Sequence, residues 1–183
     1  MRKFLVVIIA VTCISFQIDE GRVYWAERRQ LKFSDFKGGD ATLKKLLDAE
    51  ASCSGQIFTD FKFNNHQLSY TVSAYFAEDF SFMSVRDSQL LVHEQGHFDI
   101  TEVIARKFRQ TLNTRIHYLS EADTLAGMIN ALSSYQDDLN ERYDGETAHG
   151  AKREKQNEWN VTIQKMLDSL NDYQNTSGII ILK

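Results

Sequence analysis

Two stretches alternate apolar and polar residues at period two: residues 56–63, Gln-Ile-Phe-Thr-Asp-Phe-Lys-Phe, and residues 67–76, Gln-Leu-Ser-Tyr-Thr-Val-Ser-Ala-Tyr-Phe. Asn64, Asn65 and His66 lie between them, so the pattern predicts a β-hairpin. Residues 22–26 and 30–33 are further short strand candidates, and 34–40 is turn-rich. Residues 42–52 fit a short helix or an irregular segment, and 178–182 a short strand or a loose end. From Ser84 onward the period becomes helical. Ser88 can cap a helix running to about His117, with Leu90, Ile100, Ile104, Phe108 and Leu112 on one stripe that also holds His93 and His97. Ser120-Glu121-Ala122-Asp123 fits a capping box opening a second helix to about Arg142, which Asp144-Gly145 then breaks. A third helix is expected from near Thr147 to about Tyr173, with Trp159, Ile163, Met166 and Leu170 on one side. The expected fold is α+β: a small antiparallel sheet followed by three helices.

Composition narrows the setting. At 183 residues, 43% hydrophobic and 25% charged, the chain fits one globular domain. Residues 1–17 fit a signal peptide, with Arg2 and Lys3 before the apolar run 4–14, leaving 18–183 as the single domain. That run is too short for a stable membrane span. Ala10-Val11-Thr12 is a poor lipobox, so anchoring through Cys13 is not expected, and the destination is periplasmic or extracellular. The net charge of −4 grows more negative when Arg2 and Lys3 leave, which argues against nucleic-acid partners. Only Cys53 then remains, so neither an internal disulfide nor a multi-thiolate zinc site can form.

A metal, if present, must therefore be held by histidine and carboxylate, and residues 93–97 supply a pattern for it. His93-Glu94-Gln95-Gly96-His97 is an HExxH motif. Two histidines four apart on a helix stand one turn above each other and can offer imidazoles to one zinc ion. Glu94 is placed to act as general base on a zinc-activated water. Two buried histidines beside a buried carboxylate would carry a large desolvation cost without a metal.

Helix geometry narrows the third ligand. Asp99 and Glu102 are turned away from the histidine face. His117 and Glu121 stand roughly 30 Å or more from His97 along a continuous helix. An antiparallel return brings the chain back at residues 144–149, where His149 is the expected ligand and Glu146 the alternative. Tyr143 either donates to a developing oxyanion or simply packs. His66 falls in a predicted turn and is expected to be solvated. The sequon Asn160-Val161-Thr162 lies on a predicted helix and carries no functional expectation.

The chain resembles a bacterial domain family of unknown function, number 922, described as predicted secreted zinc-dependent proteases. The resemblance rests on residues 31–38, Leu-Lys-Phe-Ser-Asp-Phe-Lys-Gly, and 93–100, His-Glu-Gln-Gly-His-Phe-Asp-Ile, with Ala105-Arg106 after them. It also rests on residues 143–150, Tyr-Asp-Gly-Glu-Thr-Ala-His-Gly, leading to Gln156 and Trp159. Phe33 stands where the family's pattern has Trp. The resemblance implies export and a role for His149. Residues and resemblance together lead to the expectation of a zincin-like metallopeptidase, with the motif on its first long helix. Its metal would be zinc on His93, His97 and His149, its base Glu94, and its partner a peptide or protein substrate. The alternatives are a non-catalytic zinc-binding module of the cell envelope, or a zinc amidase acting on cell-wall peptide.

Overall fold

The computed structural model describes residues 21–27, 29–39, 50–64, 66–118 and 124–183. The expected leader, Cys13 and the capping box at 120–123 lie outside them. The elements are β1 (Arg22–Tyr24), β2 (Ala51–Ser52), β3 (Gly55–Asn64), β4 (Gln67–Ala77), β5 (Phe82–Met83), α1 (Ser88–Arg115), α2 (Leu125–Thr147), α3 (Arg153–Ser169) and β6 (Ser177–Ile181). The architecture is α+β, a small antiparallel sheet with three helices, as the periodicities predict.

The hairpin forms in the expected register, from Gly55↔Phe76 to Asn64↔Gln67. Its second strand, β4, is the centre of the sheet. The far edge of β4 is shared end to end by β1, paired at residues 75–77, and β6, paired at residues 67–71. The tail left open between strand and loose end is thus a strand. Residues 30–33 are not: Leu31 is buried, gives its N–H to Gln95 Oε1 at 2.7 Å, and leads into a 3₁₀ turn over Phe33–Asp35. That side-chain acceptor on α1 takes the place of a strand partner.

Helix α1 lies between two layers. Ala105, Phe108 and Leu112 pack on Leu68, Tyr70, Val72 and Ala74 of β4. Ile100 and Val103 pack on Leu139 and Tyr143 of α2 and on Trp159, Ile163 and Leu167 of α3. The single stripe expected from the sequence divides between two buried faces, Ile100 entering one and Phe108 and Leu112 the other. Asp87, rather than Ser88, caps the helix, accepting from the N–H groups of Gln89 and Leu90.

Burial on both faces leaves α1 polar groups that must be paired inside the core. Glu102, Arg106 and Arg109 are 2%, 5% and 0% exposed. Glu102 Oε1 accepts from Arg106 Nε at 2.9 Å and from Arg109 Nη2 at 2.6 Å. The guanidiniums also donate to the carbonyls of Leu167, Val72 and Tyr173, tying α1 to the sheet and to the end of α3. Among the described residues no helix is long and apolar enough to cross a membrane. Replacing Glu102 by Ala would leave two buried cations without their counter-charge. Urea unfolding followed by circular dichroism should show a loss of about 3–5 kcal/mol, and an unchanged midpoint would refute this role of the network.

Candidate metal centre

All five residues of the motif sit in the packed layer at the start of α1. His93 is 2% exposed and Glu94 4%. Gln95 joins the motif to the N-terminal segment, accepting from Leu31 and donating to Asp99 at 2.8 Å, while Trp25 donates to the same Asp99 oxygen. Gly96 is where α2 crosses. A Cβ there would lie 2.2 Å from the Tyr143 hydroxyl, so only glycine allows this approach. Asp99 and Glu102 are engaged elsewhere, as their helical offsets predict.

The facing surface comes from α2, which does not break at Asp144-Gly145. It continues to Thr147 and ends at Ala148, in the left-handed region at φ 49°. An interior glycine costs only about 1 kcal/mol, which the packing of Leu139, Tyr143 and Thr147 offsets. Asn140, Tyr143, Asp144 and Thr147 consequently share one helical face at spacing i, i+3, i+4, i+7, and the first three meet the two histidines.

Asp144 Oδ1 lies 3.0 Å from His93 Nε2 and 2.9 Å from His97 Nε2, and the two nitrogens are 3.2 Å apart. These separations approach the roughly 3.3 Å edge of a tetrahedron whose corners lie about 2.0 Å from a zinc ion. Among the described residues, this is the group of ligand atoms able to hold a metal, all within 4.8 Å of one another. His149 and Glu146, the residues expected to complete it, are not members of that group. His149 is 78% exposed on the rim, its Nδ1 3.6 Å from Asp144 Oδ1. Glu146 is turned toward α3, where its Oε2 accepts from Trp159 Nε1 at 2.8 Å. His66 is exposed in the hairpin turn, and His117 is bonded to the Thr114 carbonyl beyond the end of α1.

A hydrogen-bond chain sets which imidazole nitrogen faces the centre. The Tyr143 hydroxyl donates to the His93 carbonyl at 3.0 Å and accepts from Gln156 Nε2 at 2.6 Å. Gln156 Nε2 also donates to Asn160 Oδ1, so Gln156 Oε1 is left to accept from His93 Nδ1 at 3.1 Å. Asn140 Oδ1 accepts from His97 Nδ1 at 2.9 Å. With both Nδ1 atoms carrying protons, both Nε2 lone pairs point at the Asp144 oxygen. Three lone pairs converging at such distances call for a proton or a cation between them.

Tyr143, the candidate oxyanion donor, is fully buried, stacked on the His93 ring at 4.6 Å, with its hydroxyl given to the His93 carbonyl. Burial raises its pKa and keeps that proton in place. It orients the site from beneath rather than facing a substrate. Gln156 and Asn140 complete this support. The motif did not signal them, though the spacing from Asn140 to Thr147 would have shown the α2 face had the helix been continued through Gly145.

The centre opens into a cavity of about 550 Å³, walled on the opposite side by Ala51, Ser52 and Cys53 and rimmed by His149. Burial lifts the Glu94 carboxyl above its ordinary range, while the nearby His97 and His93 pull it the other way and the Cys53 N–H donates to it. Burial, with Glu94 and Asp99 close by, pushes the Cys53 thiol well up and keeps it protonated. Burial alone would raise Asp144, yet the His93 and His97 imidazoles beside it outweigh this and hold the carboxyl below the usual range. Burial lowers His97, and the Asp144 contact more than offsets this, so its pKa is raised.

Ala148, His149 and Gly150 all have positive φ, which costs a non-glycine residue about 1–2 kcal/mol. The strap they form is held firmly. The Gly150 N–H donates to Thr147 Oγ1, the Lys152 N–H to the Thr147 carbonyl, and the Gln89 side chain to the Gly150 carbonyl. A Cβ on Gly150 would lie 2.8 Å from His93 Cβ, so the strap presses on the first histidine.

No family model matches the chain, and no curated protein or solved structure does.

Two outcomes are expected. Gly96→Ala drives a methyl into Tyr143 and should destabilise the fold by about 1–3 kcal/mol, read from thermal or urea unfolding. In chelator-treated protein, Asp144's lowered pKa gives stability that is present above the ordinary carboxylate range and lost as pH falls from that range through the lowered pKa. His97's raised pKa gives stability that is present below its ordinary value and lost as pH rises through the raised one. Asp144→Asn should flatten both limbs of the stability–pH curve; an unaltered curve would refute the coupling.

Proposed function

We propose that the chain is a zinc-dependent, zincin-like peptidase, exported by its N-terminal leader, that hydrolyses peptide bonds. The observation that carries the proposal is the convergence of His93, His97 and Asp144 beside a buried glutamate, in an open cavity. His93 Nε2, His97 Nε2 and Asp144 Oδ1 would hold the ion, a two-imidazole, one-carboxylate set suited to a site that keeps a fourth position open. When bound, zinc supplies acidity to a coordinated water and polarises a carbonyl.

The chain's own residues do the rest. Glu94, raised by burial and steadied by the Cys53 N–H, accepts the proton of the attacking water and delivers it to the amine nitrogen as the C–N bond breaks. Gln156 and Asn140 hold the two imidazoles in the tautomer that leaves Nε2 bare. The β2–β5 pair offers an edge for substrate. Ser84 donates to the Glu50 carbonyl, so the antiparallel alternation turns the N–H and C=O of Ala51 away from β5. An extended peptide can add along that edge and lie across the cavity.

Glu94→Gln separates chemistry from metal binding. Zinc content by mass spectrometry should match the native chain, while cleavage of a peptide library should fall at least about 10²-fold. Native-level cleavage by the variant would overturn the mechanism. A native chain that binds zinc yet shows no chelator-sensitive cleavage would point to the non-catalytic envelope module instead.

A further inference from the structure

His149 lines the cavity without belonging to the group of converging ligand atoms. Its ring stands edge-on to His93 with centroids 6.3 Å apart, and its Nδ1 is 3.6 Å from Asp144 Oδ1, beyond hydrogen-bond reach. Among the described residues no side-chain hydrogen bond engages the imidazole, which is 78% exposed, while its backbone N–H is tied to the Asp144 carbonyl. The backbone beneath it is left-handed at three successive residues and fixed by Gln89 and Thr147. A rigid strap thus presents an imidazole at the mouth of the site, whereas the Nδ1 protons of His93 and His97, also in the cavity wall, are turned away to Gln156 Oε1 and Asn140 Oδ1.

We infer that His149 is the group that hydrogen-bonds the scissile carbonyl oxygen of the substrate, and not a metal ligand. The inference rests on the peptidase proposal above. As water oxygen bonds to the carbonyl carbon, the C=O π pair moves onto oxygen, and a donor N–H from His149 stabilises the charge that develops there. When the C–N bond breaks, that pair returns to re-form the carbonyl and the hydrogen bond relaxes. Tyr143 cannot take this part, because its hydroxyl is committed to the His93 carbonyl.

The test uses cobalt-loaded protein, whose visible spectrum reports ligands at the metal, with two probes. Azide reports the open position alone, and methylphosphonate adds tetrahedral oxygens that a second donor can reach. His149→Ala should keep native cobalt and zinc stoichiometry and native azide affinity, yet bind methylphosphonate about tenfold more weakly. His149→Gln, which retains an N–H donor, should recover part of that loss. Loss of metal in His149→Ala would make His149 a ligand and overturn the inference. Equal phosphonate affinity in the native chain and His149→Ala would overturn it too, leaving the metal site standing. A native chain that takes up no metal would instead refute the underlying peptidase proposal.

Discussion

The site depends on one constraint: three lone pairs, on His93, His97 and Asp144, are aimed at a common point 2.9–3.2 Å apart. Left to themselves such atoms repel, and either imidazole could rotate or change tautomer to escape. The chain closes those routes. Tyr143 and Asn160 accept from Gln156 Nε2, so Gln156 Oε1 is the atom that receives the His93 Nδ1 proton, and Asn140 Oδ1 does the same for His97. Only a positive charge relieves the arrangement. In the protein alone Asp144 raises the pKa of His97 and so favours a proton there, and the proposed zinc ion would replace it.

Holding that geometry requires a helix that cannot shift, and α1 is fixed from two sides. Its sheet-facing residues enter one core, Ile100 and Val103 enter another, and the buried Glu102–Arg106–Arg109 group ties both layers to it. Even the two unassigned positions of the motif serve this end. Gln95 pins the segment before β2, and Gly96 lets Tyr143 approach close enough to reach the His93 carbonyl. Any side chain larger than hydrogen at Gly96 would separate α1 from the helix that carries Asp144.

Much of the fold was legible because it follows from period. The alternation at residues 56–76 gave a hairpin, the 3.6-residue repeat gave three helices, and the offsets of Asp99 and Glu102 excluded them from the histidine face. What failed was punctuation. Asp144-Gly145 carries the composition of a helix stop, yet the buried Tyr143 and Thr147 hold the helix together across it, and tertiary packing outweighs one glycine. Ending α2 at Arg142 placed Asp144 in a loop and drew attention to His149, a stronger ligand type in a plausible position. The strand expected at residues 30–33 failed for a related reason, since its backbone partner is the Gln95 side chain, which no local pattern reveals.

The continued helix also divides the labour of the site. Atoms proposed to hold the metal come from helix interiors, where neighbouring turns fix every rotamer, and the carboxylate arrives on the same face as the residues that orient the imidazoles. His149 arrives two residues past the end of that helical face, on a strap whose glycine lies against His93. Had the helix stopped at Arg142, a flexible loop would have had to supply both the third ligand and any contact to substrate. Extending it by one turn moves ligation onto rigid structure and leaves His149, pointing into solvent at the rim, available to whatever the cavity receives.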